Sequence, residues 1–208
     1  MTLEKEGLLN TIITGVGGQG NVVASQIFAS AAVRDGFYVS VGETYGAAQR
    51  GGAVMSHVRL SREAQYGPLT PEGRAHVIVG FEPVECLRTV GGFGNEKARV
   101  IVNPRPVYPI DVLSGALEYP AVEEVVKAIK ELVYSVHVVE ATELAKKAGD
   151  PIMQNVAMVG CLAGSGFTSV KVETLREVIK EIFAKRRPEA NLMAFELGLR
   201  EIGKTKPL

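Results

Sequence analysis

Cysteine is scarce. Cys86 and Cys161 are the only two in 208 residues, and no CxxC pair exists. That argues against an iron–sulfur cluster or a structural zinc held by this chain alone. Both sit in apolar surroundings, VECLR and VGCLAG, and read as buried free thiols of a reducing cytosol, with a disulfide as the alternative. Net charge is missing too: 23 basic residues cancel 23 acidic ones. The chain therefore has no electrostatic footprint for nucleic acid or an anionic membrane. Weak colloidal repulsion of this kind suits a subunit of a complex. Histidine is limited to His57, His76 and His137, none at metal-ligand spacing on a helix. His57 and His137 alternate with valines and read as ordinary strand residues.

Long apolar runs are absent as well. Residues 7–33 carry no charge, but Asn10, Thr11, Thr14 and the GVGGQGN run interrupt them. No stretch reaches the roughly 18 apolar residues of a membrane span. Leu3-Glu4-Lys5-Glu6 does not supply the basic start of a signal peptide. The expectation is a cytoplasmic protein whose first strand and helix are deeply buried.

The chain does hold a large apolar fraction, 46%, enough for the core of one domain with a helical annex. LLNTIITGV (8–16) reads as a buried strand, followed by a helix over residues 19–34. Further strands are expected at 37–43, 53–61, 76–82, 99–104 and 135–141. The short valine and isoleucine runs among them look like central parallel strands covered on both faces. Helical patterns at 83–90 and 121–133 lie between them. The alternation predicts an α/β fold: an open, mostly parallel, doubly wound (Rossmann-like) sheet. The sheet core should span about 8–141, and a helical C-terminal part about 142–203, in a single domain over 1–208. The amphipathic runs 171–186 and 188–203 supply its last helices. Residues 103–120 hold four prolines and read as an extended connection able to serve as an interface arm. There are no repeats and no low-complexity segment.

Gly15-Val16-Gly17-Gly18-Gln19-Gly20 fits GxGxxG directly after a strand and opens a helix. Glycines there permit a tight turn and let backbone amides approach a phosphate at the positive helix end. The plainer reading is a tight turn packed against a neighbouring strand or subunit. Glu43, at the end of the second strand, stands where a ribose-binding acid would belong. A second glycine-rich stretch, TYGAAQRGG (44–52), follows. Strand carboxyl ends line the ligand crevice of such sheets, so both loops should face one side. Tyr45, Gln49, Arg50, Gly51 and Gly52 then join the candidate site, with Arg50 able to pair with a phosphate or carboxylate. The alternative is a salt bridge from Arg50 to Glu43 that pins the loop. Gln154 and Asn155, near the start of a small-residue helix, either reach the same crevice or act as capping or buried amides. No Ser/His/Asp set and no nucleophilic cysteine with a nearby histidine can be assembled.

Taken in order, GVGGQGNVVASQIFASAA, TYGAAQRGGAVMSHVRLS, NVAMVGCLAG and ANLMAFELG resemble the gamma subunit or domain of the 2-oxoacid:ferredoxin oxidoreductases. The indolepyruvate branch is the nearest match. The likeness runs over nearly the whole chain and is weakest at 91–134. It implies oxidative decarboxylation of a 2-oxo acid with coenzyme A, giving an acyl-CoA, CO2 and two electrons for ferredoxin. Thiamine diphosphate and iron–sulfur clusters perform that chemistry in the family. This chain lacks cluster ligands and a thiamine–magnesium motif of the GDG…N kind. The resemblance therefore implies a larger partner subunit carrying thiamine diphosphate, Mg and the clusters, with ferredoxin as acceptor and CoA as co-substrate. Gln49 and Arg50 would act at the shared active site. Gly15, Gly17, Gly18, Gln19, Gly20, Tyr45, Gly51, Gly52 and Asn155 would line its cofactor side. Pyruvate, branched-chain 2-oxo acids and 2-oxoglutarate stay open as substrates. A free-standing nucleotide-binding module and a purely assembling subunit stay open as alternatives.

Overall fold

Six runs of β-branched and aliphatic residues build one sheet, and their burial shows why they need not alternate. In β1 (Leu8–Val16) every residue after the first is buried, and β4 (Val77–Gly80) is buried throughout. Such strands are covered on both faces. The computed structural model describes residues 7–46 and 52–208. The other strands are β2 (Tyr38–Tyr45), β3 (Ala53–Ser61), β5 (Arg99–Val102) and β6 (Ser135–Val138). The sheet order is β2-β3-β1-β4-β5-β6. β1, β4, β5 and β6 are parallel neighbours. β3 runs antiparallel to both β1 and β2, so β2 again points the same way as β1. The mostly parallel open sheet expected from the sequence is present, with β3 as the one reversed strand.

Successive side chains point to opposite faces, and the two cores follow that alternation. Leu9, Ile13, Val77, Val79 and Ile101 face a large core with α1 (Asn21–Arg34). Ile12, Ile78, Val100, Val102 and Val136 face a smaller one. The smaller core is capped by α2 (Pro83–Phe93) and α4 (Val122–Leu132). The larger core also takes α5 (Ala141–Ala148), α6 (Gln154–Gly164), α7 (Val172–Ile182) and α8 (Pro188–Ile202). Between β5 and α4 the proline-rich connection holds a single helical turn, α3 (Ile110–Leu113). On this connection Leu113 and Leu117 are largely exposed.

α6 and α8 approach at backbone distance. A Cβ on Gly160 would collide with the Phe195 carbonyl oxygen, and one on Gly198 with that of Ala157. Gly164 faces Leu199 in the same way. These glycines are fixed by helix packing rather than by a ligand. Cys86 and Cys161 are both free and buried, as expected. Burial pushes the Cys161 thiol up to about 12 and raises that of Cys86 as well.

Candidate active-site edge

The glycine-rich turn follows the carboxyl end of β1, and each of its residues has a local cause. Gly18 has φ 102° and Gly20 φ 88°, a region that favours glycine. Gly20 is the N-cap of α1 in left-handed conformation, with no side-chain cap. A Cβ on Gly20 would lie 2.6 Å from Asn155 Nδ2, so Asn155 lies directly across the helix start. Gly15 is just as tightly held: its Cβ would lie 2.6 Å from Gln19 Oε1 and 2.8 Å from Phe81 Cβ.

Gln19 is buried and staples the turn. Its Oε1 accepts from the Val16 N–H at 2.7 Å, and its Nε2 donates to the Phe81 carbonyl at 3.1 Å. The side chain thus joins the ends of β1 and β4. At the end of β5, fully buried Asn103 continues the network. Its Nδ2 reaches the Phe81 carbonyl (3.3 Å), Thr142 Oγ1 (3.0 Å) and Gln154 Oε1 (3.3 Å). Thr142 Oγ1 also donates to Gln154 Oε1 at 2.8 Å. Gln154 is therefore a half-buried amide tied into this network rather than a free group of the crevice. Asn155 Oδ1 accepts from the Val156 N–H at 2.8 Å.

The second glycine-rich stretch meets the first. The Gly17 N–H donates to the Gly52 carbonyl at 2.9 Å, one step beyond the pairing of Val16 with Ala53. The Gly46 N–H donates to the Ala53 carbonyl at 2.7 Å and closes the base of the β2–β3 hairpin. Gly46 and Gly52, the described ends of the second stretch, thus lie at the same sheet end as the glycine turn. Gln49, Arg50 and Gly51 lie outside the described residues. Tyr45 is exposed on the edge strand, and its hydroxyl donates to the Glu43 carboxylate. That hydrogen bond raises the Tyr45 pKa.

Among the candidates, the structure brings Gly15, Gly17, Gly18, Gln19, Gly20, Gly52 and Asn155 together. Gly18 is the exposed member and Gly17 is half-buried. Glu43 is not part of this group. It pairs with Ser56 on β3, which pairs with Ile13 on β1. β3 therefore stands between Glu43 and the glycine turn, two strand spacings or about 10 Å away in the sheet plane. A dinucleotide site needs the acid on the strand beside β1.

Sequence reasoning missed Glu82, Asn103 and Thr142. Glu82 is 1% exposed at the end of β4. Its Oε2 caps α2 by accepting from the Glu85 N–H at 2.8 Å. Its Oε1 accepts from the Tyr119 hydroxyl, which ties the proline-rich connection to this edge. Burial first, then this bond, pushes the Tyr119 hydroxyl pKa up. The available signal was positional: a polar residue directly after a buried apolar strand, as in VIVGFE and VIVN.

Magnesium-bound thiamine diphosphate and iron–sulfur clusters, which the resemblance implies, need grouped carboxylates or thiolates. Among the described residues, no three His, Cys, Asp or Glu side chains gather to hold a metal, and the two thiols are buried in different cores. The donor set does not fit those groups. What this edge offers is a preorganised backbone wall. No helix among the described residues is long and apolar enough to cross a membrane.

Comparison with known proteins places this architecture. An indolepyruvate oxidoreductase subunit IorB of Archaeoglobus fulgidus is 38% identical over 199 residues, 96% of this chain and 98% of that protein. The subunit of the same name from Thermococcus kodakarensis is 37% identical over 92% of this chain and 94% of its own length. The fold superposes on a 2-oxoglutarate:ferredoxin oxidoreductase from Magnetococcus marinus with a TM-score of 0.75 at 22% identity. That match covers 97% of this chain but 32% of the larger one. The model of the pyruvate ferredoxin/flavodoxin oxidoreductase family matches residues 10–201, so the chain belongs to that family.

Proposed function

We propose that this chain is the subunit of a CoA-dependent indolepyruvate (aryl pyruvate):ferredoxin oxidoreductase that completes an active site shared with a larger subunit in the cytoplasm. The substrate assignment rests on the two relatives named for indolepyruvate. The reaction takes a 2-oxo acid and CoA to an acyl-CoA, CO2 and two electrons for ferredoxin. The larger subunit carries thiamine diphosphate, Mg and the iron–sulfur clusters, which supply the carbanion and electron-transfer chemistry. This chain's residues position and enclose. The observation that carries the reading is the Gly17–Gly52 hydrogen bond of 2.9 Å. It joins the GVGGQG turn to Gly52, the last residue of the QRGG stretch.

In this role Arg50 and Gln49 contact an anionic group of CoA or of the partner's cofactor. Gly18, exposed and without a side chain, allows backbone to approach that group. Gly15, Gln19, Gly20 and Asn155 hold the wall in place from behind. Replacing Arg50 by Ala in the assembled enzyme should lower kcat/KM about 10- to 100-fold, the worth of one hydrogen bond to a charged group. Unchanged kinetics for CoA and for every 2-oxo acid would remove Arg50 from the site.

A purely assembling role has one observation in its favour. The Gly17 amide is already engaged by Gly52, and Gly15 and Gly20 are explained by packing alone. Full activity of a Gln49→Ala/Arg50→Ala enzyme, with assembly retained, would select that reading.

A further inference from the structure

A cavity of about 730 Å³ opens at the opposite edge of the sheet, near the start of β1. Asn10, Arg59, Tyr66, Arg74, His76 and Lys97 contribute to its lining. β1 runs from Asn10 to Val16 between this cavity and the glycine turn, about 20 Å at the usual strand rise. The two places are therefore separate.

Its floor is Arg59, which pairs with Asn10 across β3 and β1 and is only 8% exposed. Three neutral acceptors hold its guanidinium. Nε donates to Asn10 Oδ1 at 2.9 Å, and Nη1 donates to the carbonyls of Gly67 (2.8 Å) and Leu69 (3.1 Å). The Tyr66 ring lies 5.2 Å from the guanidinium carbon. Among the described residues, none of the ion pairs includes Arg59, Arg74 or Lys97. Nη2 of Arg59 makes no hydrogen bond there either. A buried cation without a counter-charge is costly, and burial lowers the Arg59 pKa.

The rim adds more positive charge. Arg74 and Lys97 are exposed, and Glu96 is the one acid in the lining. His76 Nδ1 accepts from the Asn10 N–H at 2.9 Å, which leaves its ring proton on Nε2. Three cationic side chains against one carboxylate, around a cavity in the size range of small-molecule sites, select an anion.

We propose that this cavity is a second ligand site, distinct from the glycine-rich edge, that binds a small-molecule anion through a phosphate or carboxylate group seated on Arg59. Arg74 and Lys97 neutralise the rest of its charge. Nη2 of Arg59 keeps two N–H donors for such a group, and a charge-assisted hydrogen bond from it suits phosphate and carboxylate alike.

The test is calorimetric titration of the full chain and of the assembled enzyme with inorganic phosphate and, separately, citrate, against chloride at equal ionic strength. Saturable binding of either is expected. Preference for phosphate would assign a phosphorylated metabolite, and preference for citrate a polycarboxylate. The Arg74→Ala/Lys97→Ala variant alters exposed side chains only and should bind at least about tenfold more weakly. Lys130→Ala, on α4, should bind as the unaltered chain does. No saturable binding, or equal binding by the Arg74/Lys97 variant, would overturn the proposal. So would binding to the free chain that disappears in the assembled enzyme, since a partner surface would then fill the cavity.

Discussion

Gly20 and Asn155 stand close together at the candidate edge, and their contact is testable by a double-mutant cycle. Gly20→Ala introduces both a left-handed non-glycine residue and a clash with Asn155 Nδ2 at 2.6 Å. A cost of about 1–3 kcal/mol is expected from urea unfolding. Adding Asn155→Ala should return part of it, so the two changes are non-additive. Simple additivity would show that Asn155 does not press on the turn. His57 gives a prediction in pH. It is 1% exposed, packed edge-on against Phe93 at 5.2 Å, and its Nδ1 accepts from the Thr70 N–H at 3.4 Å. Burial, aided by Arg59, lowers its pKa below 6.5. The unfolded chain then binds more protons than the folded one between that lowered value and about 6.5. Stability is full above about pH 6.5 and falls as pH drops below it. His57→Gln should flatten that fall in urea midpoints taken from pH 7.5 to 5. An unchanged slope would assign it elsewhere.

At the scale of elements, most of the sheet is legible in the sequence, because buried strands announce themselves as short β-branched runs. The observed strands begin and end within a few residues of the expected ones, and α1 starts at Asn21 rather than Gln19. The direction of β3 is not visible in its own residues. It is fixed by the connection: residues 46–52 are too few for a parallel crossover, which needs a dozen or more. The reversed strand also explains why Glu43 misleads. Its spacing from the GxGxxG motif matches a ribose-binding acid, but β3 is inserted between them. The amides Asn103 and Gln154 are partly legible by position, whereas their mutual contact depends on how α6 packs back on the sheet. That packing rests on the glycines of α6 and α8. Gly160→Ala should cost about 3 kcal/mol or more, because its Cβ meets the Phe195 carbonyl rather than a yielding side chain. Gly91→Ala on α2, where a Cβ meets nothing within 4 Å, should be neutral or mildly stabilising. Equal effects at the two positions would contradict the close helix crossing.

For the whole molecule, the sheet gathers the glycine turn, Gly46 and Gly52 at one end, with no metal-binding donor set among the described residues. The connection at 103–120, held through Tyr119 on Glu82, exposes Leu113 and Leu117. A subunit that lends a surface to a partner's chemistry accounts for both features. The most direct test is to purify this chain from its native cell extract without disrupting complexes. The absorption spectrum and thiamine content are then measured, together with viologen reduction by an aryl pyruvate and CoA. The account predicts co-purification with a larger brown, thiamine-containing subunit that reduces the dye only while this chain is present. A lone, colourless protein that binds NAD tightly would contradict it.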